Sequence, residues 1–315
     1  MYFSIVIPVY NRPQEVQELL QSMTQQSYSK TFEVVIVEDG SANTCETIVE
    51  SFKEKLDIQY FLTENQGAGQ SRNYGMRQAK GAYFIVLDSD VLLPKDYLKN
   101  IELALDQNYT DAFGGPDAAH ESFTLLQKAI NYSMTSVFTT GGIRGKKKSV
   151  GKFQPRSFNL GISKKAFEVT QGFSKMKYGE DIDLSFRLWE NGFETQLIPS
   201  GYVYHKRRST IKEFYRQTFN FGTARPYLNR KYPDTKKLTY WFPSLFIIGF
   251  DIAIVLSIFI HPIFLLPFIF YFIALTIDST IQNKSIIVGL LSIVTTYTQF
   301  MGYGLGFLKA FLKLK

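Results

Sequence analysis

The sequence predicts a mostly parallel α/β sheet flanked by helices, followed by a block of apolar helices. Two patterns carry this reading. The first 110 residues alternate short apolar strands with amphipathic helices, and a β-α-β-α-β-α-β order gives parallel neighbours with helices on both faces. Between Trp241 and Ile277 the only formal charge is Asp251, and the run is too long for a single span of about 20 residues.

Each element has its own signal. Phe3–Val9 reads as a buried strand, and the helix after it sets Val16, Leu19, Leu20 and Met23 on one face. Residues 32–37 form a second strand, and Ile48, Phe52 and Leu56 fit a second helix. A third strand covers 58–62 and a third helix 68–79. The fourth strand is 82–87, with a helix beginning near Pro94, a residue suited to a first turn. Residues 115–158 are the least regular part.

The apolar tail breaks at His261-Pro262 into segments of about 242–260 and 262–277; a third runs over about 286–308. That third segment holds Gly302-x-x-x-Gly306, a spacing that permits close helix packing. Segments apolar on all faces read as membrane helices. Three full spans would put Lys309, Lys313 and Lys315 outside, against the positive-inside tendency, so one segment is expected to be re-entrant or interfacial. Asp251 is expected to face the helix bundle, because a carboxylate in lipid is costly. The expected organisation is a catalytic domain over 1–205, a basic juxtamembrane helical segment over 206–240 and a membrane domain over 241–315.

Composition narrows the chemistry. In 315 residues, 45% hydrophobic and 20% charged, extensive disorder has no support. A single cysteine, Cys45, excludes a disulfide framework and multi-cysteine metal sites. With three histidines, a metal centre must lean on carboxylates, which favours Mg²⁺ or Mn²⁺. The start, MYFSIVIPVYNRP, has no basic region leading a long apolar one, so the chain is expected to begin in the cytoplasm. The net charge of +7 is unevenly placed: 201–240 holds ten Lys/Arg against Glu213 and Asp234, leaving 1–200 net negative. Basic charge beside an apolar tail points to anionic lipid headgroups, not to nucleic acid.

Polar residues gather where the strands end. The first strand ends in Pro8-Val9-Tyr10-Asn11, the second in Glu38-Asp39-Gly40-Ser41, the third in Thr63-Glu64-Asn65 and the fourth in Asp88-Ser89-Asp90. Four such ends in succession indicate one shared crevice, since ligands of open parallel sheets sit at the strands' carboxyl ends. Asp88 and Asp90 could present oxygens to a hard divalent cation that neutralises a diphosphate; capping of the next helix is the plainer use of the same pair. In Asn65-Gln66-Gly67-Ala68-Gly69-Gln70-Ser71-Arg72-Asn73 the glycines permit close backbone approach, and Arg72 could meet a carboxylate or phosphate. Tyr178-Gly179-Glu180-Asp181-Ile182-Asp183 places three acids at a helix start, where they suit either simple capping or a general base. His205 ends a strand, as a metal ligand or a bland surface imidazole. Residues 144–156 carry six basic residues and no acid, fitting a solvated loop, a lid or a site for an anionic acceptor such as a lipid diphosphate.

The order PVYN, VEDGS, N-x-G-x-G-x-x-RN, DSD, GED and a later histidine resembles the family 2 glycosyltransferases over about residues 1–205. The resemblance implies the GT-A fold, Rossmann-like, and inverting transfer of a sugar from a nucleoside-diphosphate donor, a UDP-sugar before a GDP-sugar. Under it Asp39 would contact the nucleotide base, Pro8 and Tyr10 would line that pocket, and Asn65, Arg72 and Asp88 would hold the donor. Asp90 and His205, with Asp88, would bind the Mg²⁺ or Mn²⁺. Asp181 would be the catalytic base, with Glu180 beside it. The acceptor would be a lipid-linked molecule or a glycan at the cytoplasmic face of the inner membrane, in surface polysaccharide or glycoconjugate synthesis, with membrane lipids as partners. Glu38 stands where that family often has aspartate. Two other readings compete: a polyprenyl-phosphate glycosyltransferase, and an inactive membrane scaffold that would tolerate loss of the acids found here. A processive synthase would need Q-x-x-R-W, which Gln217-Thr218-Phe219-Asn220-Phe221 does not supply.

Overall fold

The computed structural model describes residues 2–141 and 152–314. These divide into two compact units, one built from the chain up to His120 and from 152–206, the other from 121–141 and from Arg207 onward.

The first unit begins with β1 (Phe3–Val9), α1 (Pro13–Thr24), β2 (Glu33–Asp39), α2 (Glu46–Phe52), β3 (Asp57–Thr63), α3 (Ala68–Gln78) and β4 (Tyr83–Leu87). These follow the predicted order, the four strands and α3 to within one or two residues, whereas α2 ends at Phe52, four residues short of the predicted Leu56. Next come β5 (Val91–Leu92), α4 (Tyr97–Gln107), β6 (Ala112–Gly114) and β7 (Asp117–Ala118). Pro94 stands just outside α4, its carbonyl accepting from the Tyr97 amide at 3.0 Å. The helix therefore starts three residues later than predicted.

Among the described residues one sheet runs β3-β2-β1-β4-β8-β6-β9, using β8 (Asn159–Ser163) and β9 (Thr195–Leu197). The β1, β2, β3 and β4 pairings are parallel; β8 runs antiparallel to both β4 and β6. The fold is thus GT-A-like, a mostly parallel sheet flanked by helices. Alternation along each strand fills two layers. Phe3, Ile5, Ile7, Val34, Ile36, Ile85 and Leu87 join Leu19, Leu20, Val49 and Ile101 on one face. Val6, Val35, Val37, Phe84 and Val86 face the other side, with Met76, Phe167, Leu184 and Leu188. Those last residues belong to α3, α7 (Lys164–Thr170) and α8 (Glu180–Glu190). Each large aliphatic side chain so enclosed stabilises the fold by about 1.5–3 kcal/mol. Both faces being covered explains why residues 5–9 of β1, residues 34–37 of β2 and the whole of β4 read as unbroken apolar runs. A second, smaller sheet runs β5-β10-β7, with β10 (Val203–His205) antiparallel to β5.

The second unit holds α5 (Leu125–Thr135), α6 (Val137–Thr140), α9 (Ile211–Lys231), α10 (Phe242–Phe259), α11 (Leu266–Asn283) and α12 (Ile286–Lys313). Part of 115–158 is therefore regular: Thr124 and Gln127 form a reciprocal capping box that starts α5. Of the basic run 144–156, all but 152–156 lies outside the described residues. Among the described residues three helices are long and apolar enough to cross a membrane, α10, α11 and α12; the first two are mostly exposed and the third is half buried within the unit. α12 packs on α9, α5, α10 and α11. Its glycines make the closest approaches: a Cβ at Gly302 would meet the Tyr215 carbonyl at 2.9 Å, and at Gly306 would strike the Phe219 carbonyl, both on α9. Gly222 of α9 returns the fit against Tyr303. Polar pairs close other seams, with Ser133 and Thr295 hydroxyls 2.6 Å apart and Tyr132 donating to Asp278 at 2.6 Å. Asp251 does not face the bundle. It is exposed on α10, on the same stripe as the buried Ser244 and Ile247 but one turn further on, where that stripe is no longer covered.

Candidate active site

The two carboxylates after β4 and the histidine after Tyr204 are brought together by the small sheet. His205 pairs with Val91, the residue after Asp90, and the Lys206 amide donates to the Asp90 carbonyl at 2.9 Å. His205 Nε2 consequently stands 3.2 Å from Asp90 Oδ1. One ligand atom each from Asp88, Asp90 and His205 lies within 4.8 Å of the others. Two carboxylate oxygens and one imidazole nitrogen suit Mg²⁺ or Mn²⁺, so the residues fit the implied ion. The ring of Phe158 stacks on His205 at 4.8 Å between centroids, and Asp117 Oδ2 stands 3.8 Å from His205 Nδ1. Asp117 thus places a second carboxylate on the far side of the ring, at ion-pair and not hydrogen-bond distance. Arg12 Nη1 reaches Asp90 Oδ2 at 3.0 Å from the opposite side.

Arg72 joins the second cluster to the first. Buried on α3, it donates to Asp88 Oδ1 at 2.6 Å and to Glu180 Oε1 at 3.2 Å, with its guanidinium 5.2 Å from the Phe173 ring centre. Gly179, in the left-handed conformation at φ 81°, turns the chain into α8 and sets Glu180 and Asp181 in its first turn. Burial, together with the charge of Asp181, pushes the Glu180 carboxyl up to about 7 against the pull of Arg72. Asp181 Oδ2 lies 3.7 Å from Arg156. The third acid is different. Asp183 is fully buried and accepts from Arg187 Nε at 2.9 Å, while Arg187 also donates to the Thr170 and Gly172 carbonyls. Asp183 is therefore a structural anchor for α8.

At the ends of β2 and β3, Asp39 accepts from the Gln66 amide at 2.8 Å and the Gly67 amide at 3.0 Å, and Asn65 Nδ2 donates to its carbonyl at 2.9 Å. Gly40, at φ 69°, lies so close to Asn65 that a Cβ would sit 2.7 Å from its backbone nitrogen. Pro8 is buried in β1 opposite Val37, whereas Tyr10 just beyond is 53% exposed. Glu38 turns inward to accept from the Cys45 amide at 2.9 Å and the Tyr60 hydroxyl at 3.0 Å. Burial and that carboxylate push the Cys45 thiol well up, so it is an inert structural group.

The sequence reading missed Arg12, Asp117 and Phe158, and named Arg156 only as the end of the basic run 144–156. Arg12 had a signal, a cation immediately after the first polar strand end. Asp117 had none, since a two-residue strand leaves no period to read.

The model of Glycosyl transferase family 2 matches residues 4–168, which spans β1 to α7. The chain belongs to the family 2 glycosyltransferases. An uncharacterised glycosyltransferase of Haemophilus influenzae is 29% identical over 245 residues, 74% of this chain and 77% of that protein. The poly(ribitol-phosphate) beta-N-acetylglucosaminyltransferase TarS of Staphylococcus aureus is 36% identical over 114 residues, 35% of this chain but only 20% of TarS. The first curated relatives are thus matched over about a fifth of their length. Among solved structures, the family 2 chain superposes on residues 1–349 of TarS with TM-score 0.51 at 18% identity, covering 100% of this chain and 92% of that one. It superposes on the mannosyltransferase PcManGT of Pyrobaculum calidifontis, in complex with GDP-Man and Mn2+, with TM-score 0.60 at 16% identity, covering 97% and 86%. TarS has also been solved with UDP and with UDP-GlcNAc. At these identities the likeness is one of fold.

Proposed function

We propose that this chain is a metal-dependent inverting glycosyltransferase that moves a sugar from a nucleoside-diphosphate donor to a lipid-linked or glycan acceptor at the cytoplasmic face of the inner membrane. The observation that carries the reading is Arg72: one buried guanidinium bonds both Asp88, of the metal-ligand cluster, and Glu180, beside the proposed base. Donor-side and acceptor-side chemistry therefore share one fixed point.

In this reading Asp39 and Asn65 hold the nucleotide base, with Pro8 and Tyr10 beside it, and Arg72 and Asp88 position the diphosphate. Asp88, Asp90 and His205 would hold Mg²⁺ or Mn²⁺, which neutralises the diphosphate as leaving group. Asp181 takes the proton of the acceptor hydroxyl as its oxygen attacks the anomeric carbon, on the face opposite the departing diphosphate. Glu180 holds Arg72 in place. UDP-sugars are the first donor class to test, followed by GDP-sugars, because TarS and PcManGT were solved with such ligands.

Membrane association rests on α10 and α11, whose apolar side chains are mostly exposed. α12 is the interfacial segment, half buried and packed along α9, which carries Lys212, Arg216, Arg225, Arg230 and Lys231. The test is nucleotide-sugar turnover by the full chain in detergent with Mn²⁺ and with excess EDTA. Turnover equal in both overturns metal dependence, and none with any UDP- or GDP-sugar favours an inactive scaffold.

A further inference from the structure

We propose that the second unit carries a site for one anionic phospholipid of the surrounding bilayer, at the junction of α9, the linker before α10 and the end of α12. A cavity of about 590 Å³ lies there, within the range of ordinary small-ligand pockets. Its lining is two-sided. Trp241, Phe307, Phe311 and Leu314 give an apolar wall, and Arg230, Lys236 and Lys237 give three cations with no acid among the lining residues. Trp241 sits edge-on to Phe307 and to Phe311, each at 4.8 Å, so the wall is packed and not a chance surface. Asn229 also lines the cavity, and its Oδ1 is buried with no hydrogen-bond partner. The linker is pinned by Arg225, 7% exposed, whose guanidinium lies 4.1 Å from the Tyr240 ring centre.

The placement selects the occupant. The first membrane-length apolar stretch begins at Leu238, so Lys236 and Lys237 fall at headgroup depth and Trp241 at the interface that tryptophan favours. A phosphate would sit among the three cations, its acyl chains along the aromatic wall, and a headgroup hydroxyl would satisfy Asn229. This rests on the membrane association proposed above and is independent of the sugar chemistry.

The test is native mass spectrometry of the full chain in mild detergent with dioleoyl-phosphatidylglycerol or dioleoyl-phosphatidylcholine. Wild type is expected to retain one phosphatidylglycerol under activation that strips phosphatidylcholine. R230A/K236A/K237A should lower the retained fraction about tenfold or more. Leu314→Trp, which fills the cavity and keeps every charge, should lower it as well, which separates a built site from general attraction to an anionic surface. Equal retention of both lipids, or unchanged retention in Leu314→Trp, overturns the site. Selective retention of a polyprenyl phosphate over phosphatidylglycerol overturns the phospholipid assignment. Carbonate washing of membranes keeps the two readings apart: a chain that stays in the pellet but holds no lipid loses the site alone.

Discussion

Arg12 Nη1 stands 3.0 Å from Asp90 Oδ2, a cation already placed against a carboxylate proposed to hold a metal. The guanidinium neutralises a carboxylate whose other oxygen faces His205, and its charge opposes a cation bound there. Arg12→Ala should therefore tighten Mn²⁺ binding by about two- to fivefold, the scale of a partly exposed ion pair. Mn²⁺ titration followed by electron paramagnetic resonance measures this directly. Weaker binding in the variant would instead make Arg12 a support for the site.

Asp90→Asn removes an oxygen charge from the same cluster. Mn²⁺ binding and turnover should both be lost while the melting temperature in detergent stays near that of wild type. Full activity of the variant would end the assignment of Asp88, Asp90 and His205 as ligands.

Asp181→Asn should keep donor affinity and lose transfer by roughly 10²–10⁴, about 3–5 kcal/mol in the barrier. Transfer rates are compared with nucleotide-sugar affinities for wild type, Asp181→Asn and Glu180→Gln. If Glu180→Gln is the dead variant and Asp181→Asn transfers normally, the base is one residue earlier.

Glu180 makes stability depend on pH. Its folded-state pKa of about 7 lies above the ordinary 4.5. Between those values the folded chain keeps a proton that the unfolded chain has released, so stability falls as pH rises through the window. A shift of this size corresponds to about 3 kcal/mol. Metal-free wild type should melt lower at pH 8 than at pH 5 relative to Glu180→Gln. Parallel melting profiles for the two proteins would show that Glu180 titrates normally.

Gly306→Leu should break the seam between α12 and α9, where a side chain runs into the Phe219 carbonyl. Overpacking of this kind costs about 1–3 kcal/mol. The melting temperature should fall in detergent while Mn²⁺ affinity is unchanged.

Much of this was legible in the sequence, and the divide has a physical cause. The middles of β1, β2 and β4 are enclosed on both faces, so apart from Ser4 their residues are apolar and the pattern was plain, with Glu33, Glu38 and Asp39 at the two ends of β2. Asp88, Asp90, Arg72 and Glu180 sit at strand ends and helix starts, positions that sequence order alone marks. What sequence could not mark is what long-range packing decides. Asp117 reaches His205 only through a two-residue strand, and Asp183 sits two residues from Asp181 yet serves Arg187. Asp251 was expected inward on cost alone, but the stripe of α10 that buries Ser244 and Ile247 is no longer covered where Asp251 falls on it.

The second unit draws α5 and α6 from the middle of the chain and the rest from beyond Arg207. A ribosome therefore delivers α5 long before α12 exists to cover it. Ile130 and Met134 must wait for Phe214, and Ser133 for Thr295. During that interval the face of α5 that carries Ala129, Ile130 and Met134 lacks the α9 and α12 residues that cover it. The same dependence bears on engineering: a soluble fragment cut at Lys206, where the first unit ends, would keep α5 and α6 but discard the α11 and α12 that α5 packs on. Such a fragment should aggregate unless 121–141 is also replaced by a polar loop.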